Sequence, residues 1–134
     1  MILVTSGKAR LFALVALAAL GVAPSARANI NDYEFTLIEK EIKKGDAIIS
    51  VRLIHKPDGK LVPDAVIFAT RLDMTPDGME TMTTDIMRLP SGEFGVYRFK
   101  AALTMPGRWR LSIAAKLQGE ADTLESKLML RALP

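Results

Sequence analysis

Residues 97–117, YRFKAALTMPGRWRLSIAAKL, decide the fold. Tyr97, Phe99, Ala101 and Leu103 alternate with Arg98, Lys100 and Ala102. After Pro106 and Gly107, the series Trp109, Leu111, Ile113, Ala115 and Leu117 alternates with Arg110, Ser112 and Lys116. A period of two sends successive side chains to opposite faces of a strand, so each run offers one apolar face to a core and one polar face to water. Pro and Gly between the runs are turn residues, because one presets φ and the other accepts conformations closed to other residues. The aromatic placement has its own implication: Gly95-x-Tyr97 and Pro106-Gly107-x-Trp109 suit a tyrosine whose hydroxyl bonds a turn and a tryptophan that plugs the space between two sheets.

The same pattern extends in both directions. Tyr33, Phe35 and Leu37 form one apolar stripe, and Ile49, Val51 and Leu53 a second. The segment from about Ala65 to Leu72 is apolar on both sides, which predicts a strand buried on both faces. Thr83 to Leu89 reads as a short strand, and Leu124, Leu128 and Leu130 mark the last one. Turn signals stand between them at Lys56-Pro57-Asp58-Gly59-Lys60, Thr75-Pro76-Asp77-Gly78, Pro90-Ser91-Gly92 and Gly119-Glu120. Lys40 to Lys44 reads as a solvated strand end, with Gly45-Asp46 as a hairpin corner. Beyond Asn29 no segment carries a helical period. About seven antiparallel strands with turns every 8 to 12 residues predict an all-β, immunoglobulin-like β-sandwich over residues 29–134.

Residues 1–28 read as a cleavable signal peptide helix: Lys8 and Arg10 ahead of the apolar run Leu11–Ala23, the breaker Pro24, and Ala26-Arg27-Ala28 as the cleavage signature, with cutting after Ala28. The apolar run is short of the roughly 20 residues that span a bilayer, so no stable membrane span is expected after processing and the domain is expected to be exported. Lys8, Arg10 and Arg27 are three of the 18 basic residues and no acidic residue precedes Asp32, so the remainder carries 15 basic and 15 acidic side chains. The net positive charge belongs to the leader, and a nucleic-acid partner loses its compositional support. With no Cys, disulfides, thiolate metal sites and Cys nucleophiles are excluded, and the exported domain is held by its core alone.

The best candidate for chemistry is a thioether set on the irregular segment: Met74, Met79 and Met82, with Met105 and the single His55 as additions. Thioethers are soft ligands that favour Cu(I) or Ag(I) over Zn(II), Mg(II) or Ca(II). A turn around Pro76-Asp77-Gly78 can bring sulfurs together. The competing account is that flexible methionines fill gaps at the end of a β core. Asp73, Asp77, Glu80 and Asp85 near the same turn do not have the spacing of a calcium loop and read as a solvated acidic rim. For hydrolysis the four serines at 50, 91, 112 and 126 have one His to share and no G-x-S-x-G elbow, and no phosphate loop or zinc motif occurs. The expectation is a protein that is not an enzyme.

The order of pieces from His55-Lys56-Pro57-Asp58-Gly59-Lys60 through Pro63-Asp64-Ala65, Ala69-Thr70-Arg71-Leu72-Asp73-Met74, Gly95-Val96-Tyr97-Arg98-Phe99 and Pro106-Gly107-Arg108-Trp109-Arg110-Leu111 resembles the YtkA-like (FixH-like) domain of small exported proteins. The resemblance implies an immunoglobulin-like sandwich in the periplasm. It also implies a companion of heavy-metal efflux of the resistance-nodulation-division type, with a periplasmic adaptor or another envelope protein as partner. The alternative it leaves is a structural or assembly module of an envelope complex that binds no metal.

Overall fold

The computed structural model describes residues 29–134, so the leader and its cleavage after Ala28 lie outside the described residues. The alternating runs become ten strands: β1 (Tyr33–Leu37), β2 (Glu41–Lys43), β3 (Gly45–His55), β4 (Lys60–Leu61), β5 (Val66–Met74), β6 (Met79–Thr84), β7 (Ile86–Leu89), β8 (Val96–Leu103), β9 (Gly107–Lys116) and β10 (Thr123–Leu133). One sheet has the order β1-β3-β8-β7 with β4 beside β3, and the other β2-β10-β9-β5-β6. The protein is all-β, an immunoglobulin-like sandwich.

The strands exceed seven because two segments change sheets and because Lys60 and Leu61, at the end of the first turn, pair back onto β3 as β4. The run read as one strand from Thr83 to Leu89 divides at Asp85: β6 pairs with β5 in one sheet, and β7 with β8 in the other. The chain between β1 and β3 also leaves its sheet. Residues 41–43 run parallel to Arg131–Leu133 of β10, closed by Arg131 N–H to Lys40 O at 2.7 Å and Lys44 N–H to Leu133 O at 2.8 Å. Gly45 therefore opens β3 at φ 109°, and the hairpin corner expected at Gly45-Asp46 does not form. The gain is that β10 has a partner on its outer side and Ile42 packs on the core. The sandwich is thus not wholly antiparallel.

A second correction concerns β5. Leu72 is buried as expected, and the strand runs on through Asp73 and Met74, which are buried too, but Val66 and Phe68 are 63% and 57% exposed. Strand β6 pairs with β5 only at residues 72–74, which leaves Val66 to Arg71 with a ladder to β9 on one side alone. The register shifts between Ile67 and Ala69, so Phe68 is the extra residue of a bulge, and bulges at sheet edges re-aim side chains. Apolar composition on both sides made this segment look central. Its neighbour leaves for the other sheet before covering it.

The core lies between the sheets, with Phe35, Ile49, Leu53, Phe99 and Leu103 facing Leu72, Trp109, Leu111, Ile113 and Leu130. Tyr97 and Trp109 are both in it, as their placement predicts. The Tyr97 hydroxyl donates to Val62 O at 2.7 Å and accepts from Ala65 N–H at 3.0 Å, fastening the loop between β4 and β5. The Tyr97 ring meets Phe35 edge to face at 5.9 Å. In Tyr97→Phe the ring stays and the buried Ala65 N–H loses its acceptor, so a loss of about 1–3 kcal/mol is expected in denaturant unfolding. An unchanged midpoint would mean that the hydroxyl does not hold the loop.

Candidate functional site

The end of the sandwich where β5 stops and β9 starts gathers most of the candidate residues. Met74 closes β5 and precedes a 3-10 turn, Thr75–Asp77, which begins with the turn-favouring pair Thr75-Pro76 and ends at Gly78 in the left-handed region. The turn is fastened to β9. Asp77 Oδ2 accepts from Arg108 N–H at 2.8 Å, its Oδ1 accepts from Arg108 Nε at 2.7 Å, and another guanidinium nitrogen of Arg108 donates to Pro76 O at 2.8 Å. The Arg108 amide and guanidinium hold the Asp77 carboxyl below its ordinary value. Gly107 is required by this closure. Its φ is 137°, and a Cβ there would stand 2.5 Å from Asp77 Oδ2 and 2.6 Å from Met74 Cε.

The methionines are not equivalent. Met74 is fully buried and lies opposite Met79 in the β5–β6 register. Met79 and Met105 are half-buried and pack against the core, and Met105 O accepts the Trp109 indole N–H at 3.1 Å. Met82 is on the exposed part of β6. His55 is far from all of them. Gly45 pairs with Leu103 at the methionine end of β3, whereas His55 terminates β3 at the other end, beyond the Arg52–Val96 pair. There its Nδ1 is 2.9 Å from Asp58 Oδ1 and its ring lies 4.9 Å from Tyr33. The structure therefore brings Met74 and Met79 together and separates His55 from both. Among the described residues no group of three His, Cys, Asp or Glu side chains could hold a metal ion.

The acidic rim needs correcting at Asp73. This carboxylate is fully buried, not solvated. Its Oδ2 accepts from Arg71 Nε at 2.8 Å and from Arg110 at 3.3 Å, and its Oδ1 accepts from Thr75 N–H at 2.9 Å. Burial pushes the Asp73 carboxyl up; the Thr75 hydroxyl and amide facing it and the two guanidiniums more than offset this, and it lies well below its ordinary value. The Thr75 hydroxyl lies against the carboxylate without closing a satisfactory hydrogen bond, and the Arg110 Nε is buried without a partner. Arg71 also donates to Glu80 O at 2.9 Å, tying β6 over the pair. An Asp within an apolar run is a signal in the sequence, but that Arg110 stands opposite it in β9 follows only from the register.

A family model described as YtkA-like matches residues 27–114. No curated protein matches the chain. Among solved structures, the crystal structure of the Lin-41 filamin domain is similar at 17% identity and a TM-score of 0.41, covering 72% of this chain and 91% of that one. The ZirS C-terminal domain is similar at 12% identity and a TM-score of 0.46, covering 98% and 86% respectively.

Proposed function

Because the chain belongs to the YtkA-like family, a family of small accessory modules on a non-catalytic fold, we propose that it is a periplasmic companion of heavy-metal efflux of the resistance-nodulation-division type. It acts by docking on an envelope protein such as the periplasmic adaptor. The observation that supports docking is the uncovered surface: Val66 and Phe68 stand exposed on a bulged strand edge, outside the core and outside the locked methionine end. Apolar side chains held in water on an ordered edge mark a contact surface. Deleting the coding sequence is expected to lower tolerance to copper or silver salts, and restoring the gene to recover it. Unchanged tolerance would remove the efflux association.

A second reading has one observation in its favour, the pairing of Met74 with Met79. In it these two thioethers hold Cu(I) or Ag(I), with the exposed Met82 as a third ligand. Titration of the exported protein with Cu(I) against a competing chelator tests it. Binding that weakens in Met79→Leu, with the fold intact, supports the site. No binding beyond the competitor makes Met74 and Met79 packing residues.

A further inference from the structure

Strand β6 leaves an unfilled lane beside β5. It pairs with β5 at residues 72–74, and past Asp85 the chain joins the other sheet as β7. Among the described residues no strand therefore lies beside residues 66–71 on the side away from β9. Along a strand the backbone N–H and C=O groups turn to alternate sides, so alternate residues of this stretch present both groups to the lane. No turn or loop of the described residues supplies them a backbone partner.

The far side of the lane is bounded by β7, the last strand of its sheet, which pairs only with β8. Between the two edges lies a cleft of about 260 Å³, lined by Ile67, Phe68 and Thr70 of β5 and by Ile86 and Arg88 of β7, with the buried Phe99 at its floor. Ile67 and Thr70 stand opposite Ala115 and Ile113 of the core, and Ile86 and Arg88 opposite Ala101 and Phe99, so all four occupy inward positions of their strands. The lane thus opens on the interior of the sandwich, and Val66 and Phe68 stand exposed along it. Both edges carry devices that hinder pairing between folded sheets: a charge at an inward position of β7, where Arg88 lies over the Tyr97 ring at 5.1 Å, and the bulge of β5. A flexible segment can follow a bulge that a rigid sheet cannot.

We propose that an extended segment of a partner protein adds to β5 as a strand at residues 66–71. Its backbone bonds the lane-facing N–H and C=O groups, and every second side chain, apolar, fills the cleft over Ile67, Ile86 and Phe99. The inference rests on the chain being a docking module and names how its partner is held. A single strand fits a recess between two sheet edges, whereas a second copy of the chain would have to bring both of its own sheets to it. The ladder supplies affinity and the cleft selects the side chains, and proline is excluded from the middle of the segment because it has no N–H to donate. The test places the photo-crosslinker p-benzoylphenylalanine at the position of Phe68 in the full chain in its own cells. The crosslinked segment is identified and added to the exported protein as a synthetic peptide.

Expected is a segment of another envelope protein with apolar residues at every second position. When the peptide binds, the lane-facing amides of residues 66–71 should exchange with deuterium about tenfold or more slowly. The same peptide with proline at its centre should bind at least about tenfold more weakly. Five outcomes overturn the proposal: no adduct at position 68, an adduct with a second copy, a segment without that alternation, binding that leaves those amides unchanged, or binding indifferent to the proline. Failure here is distinct from failure of the efflux reading. A strand-forming partner outside any efflux system keeps the lane and removes efflux; lowered metal tolerance on deletion of the gene, with no adduct at position 68, does the reverse.

Discussion

Trp109→Ala lowers the stability of the domain by about 3–5 kcal/mol, the range for truncating a buried tryptophan, and with it most of the margin of a small protein. Trp109 is 0% exposed on the inward face of β9, with Leu130 of β10 beside it in register. Its environment cannot collapse easily. The indole N–H is tied to Met105 O at 3.1 Å, and the next turn is closed tightly over Gly107, so the backbone on the N-terminal side of the ring is held from two directions. A cavity left there stays a cavity, and the cost follows its volume. Thermal unfolding at fixed pH checks this. At about 4–8 °C per kcal/mol for a domain of this size, the variant melts well over 10 °C lower. Trp109→Phe keeps most of the apolar volume but not the donor, and is expected to fall between the two. A Trp109→Ala variant that melts with the wild type would mean that the indole is not part of the core.

Much of this core is legible from residue order alone, because strand periodicity is a local property. The alternation in residues 97–117 places Tyr97, Phe99, Leu103, Trp109, Leu111 and Ile113 on inward faces, and all of them are buried. What a period of two does not state is which strand lies beside which. For that reason β5 reads as central while half of it is an edge, and Glu41–Lys43 reads as a solvated end while it completes the other sheet alongside β10. Both errors arise where the chain crosses between sheets, at Lys40–Lys44 and at Asp85. The candidate site divides on the same ground. Turn chemistry at Pro76-Asp77-Gly78 correctly locates an irregular segment that brings Met74 and Met79 together, since that is local. The distance from His55 to the methionines, and the partners of Asp73, depend on register and are not.

Asp73→Ala is expected to cost about 3–5 kcal/mol near neutral pH, because removing one member of a buried charge cluster leaves the others uncompensated. Arg110 is the residue most exposed to this loss: its Nε is already buried without a partner, and Asp73 is the carboxylate it meets. Arg71, at the surface, can turn to water. The variant also separates the turn from the strand, since Thr75 N–H loses the acceptor that starts the Thr75–Asp77 turn. The pH dependence distinguishes this from simple loss of packing. The Asp73 carboxyl lies below its ordinary value of about 3.9, so the folded state binds its proton less readily than the unfolded state. The stability it contributes is therefore present in full above the unfolded value and is lost as the pH falls toward the folded one. Between about pH 5 and 7 the gap between wild type and Asp73→Ala should be constant, and below about pH 4 it should narrow as protonation weakens the wild type alone. Denaturant unfolding of the two proteins at pH 7, 5, 4 and 3 reads this directly. A gap that stays constant to pH 3 would show that the charge of Asp73 contributes nothing and that the variant suffers only from the missing atoms.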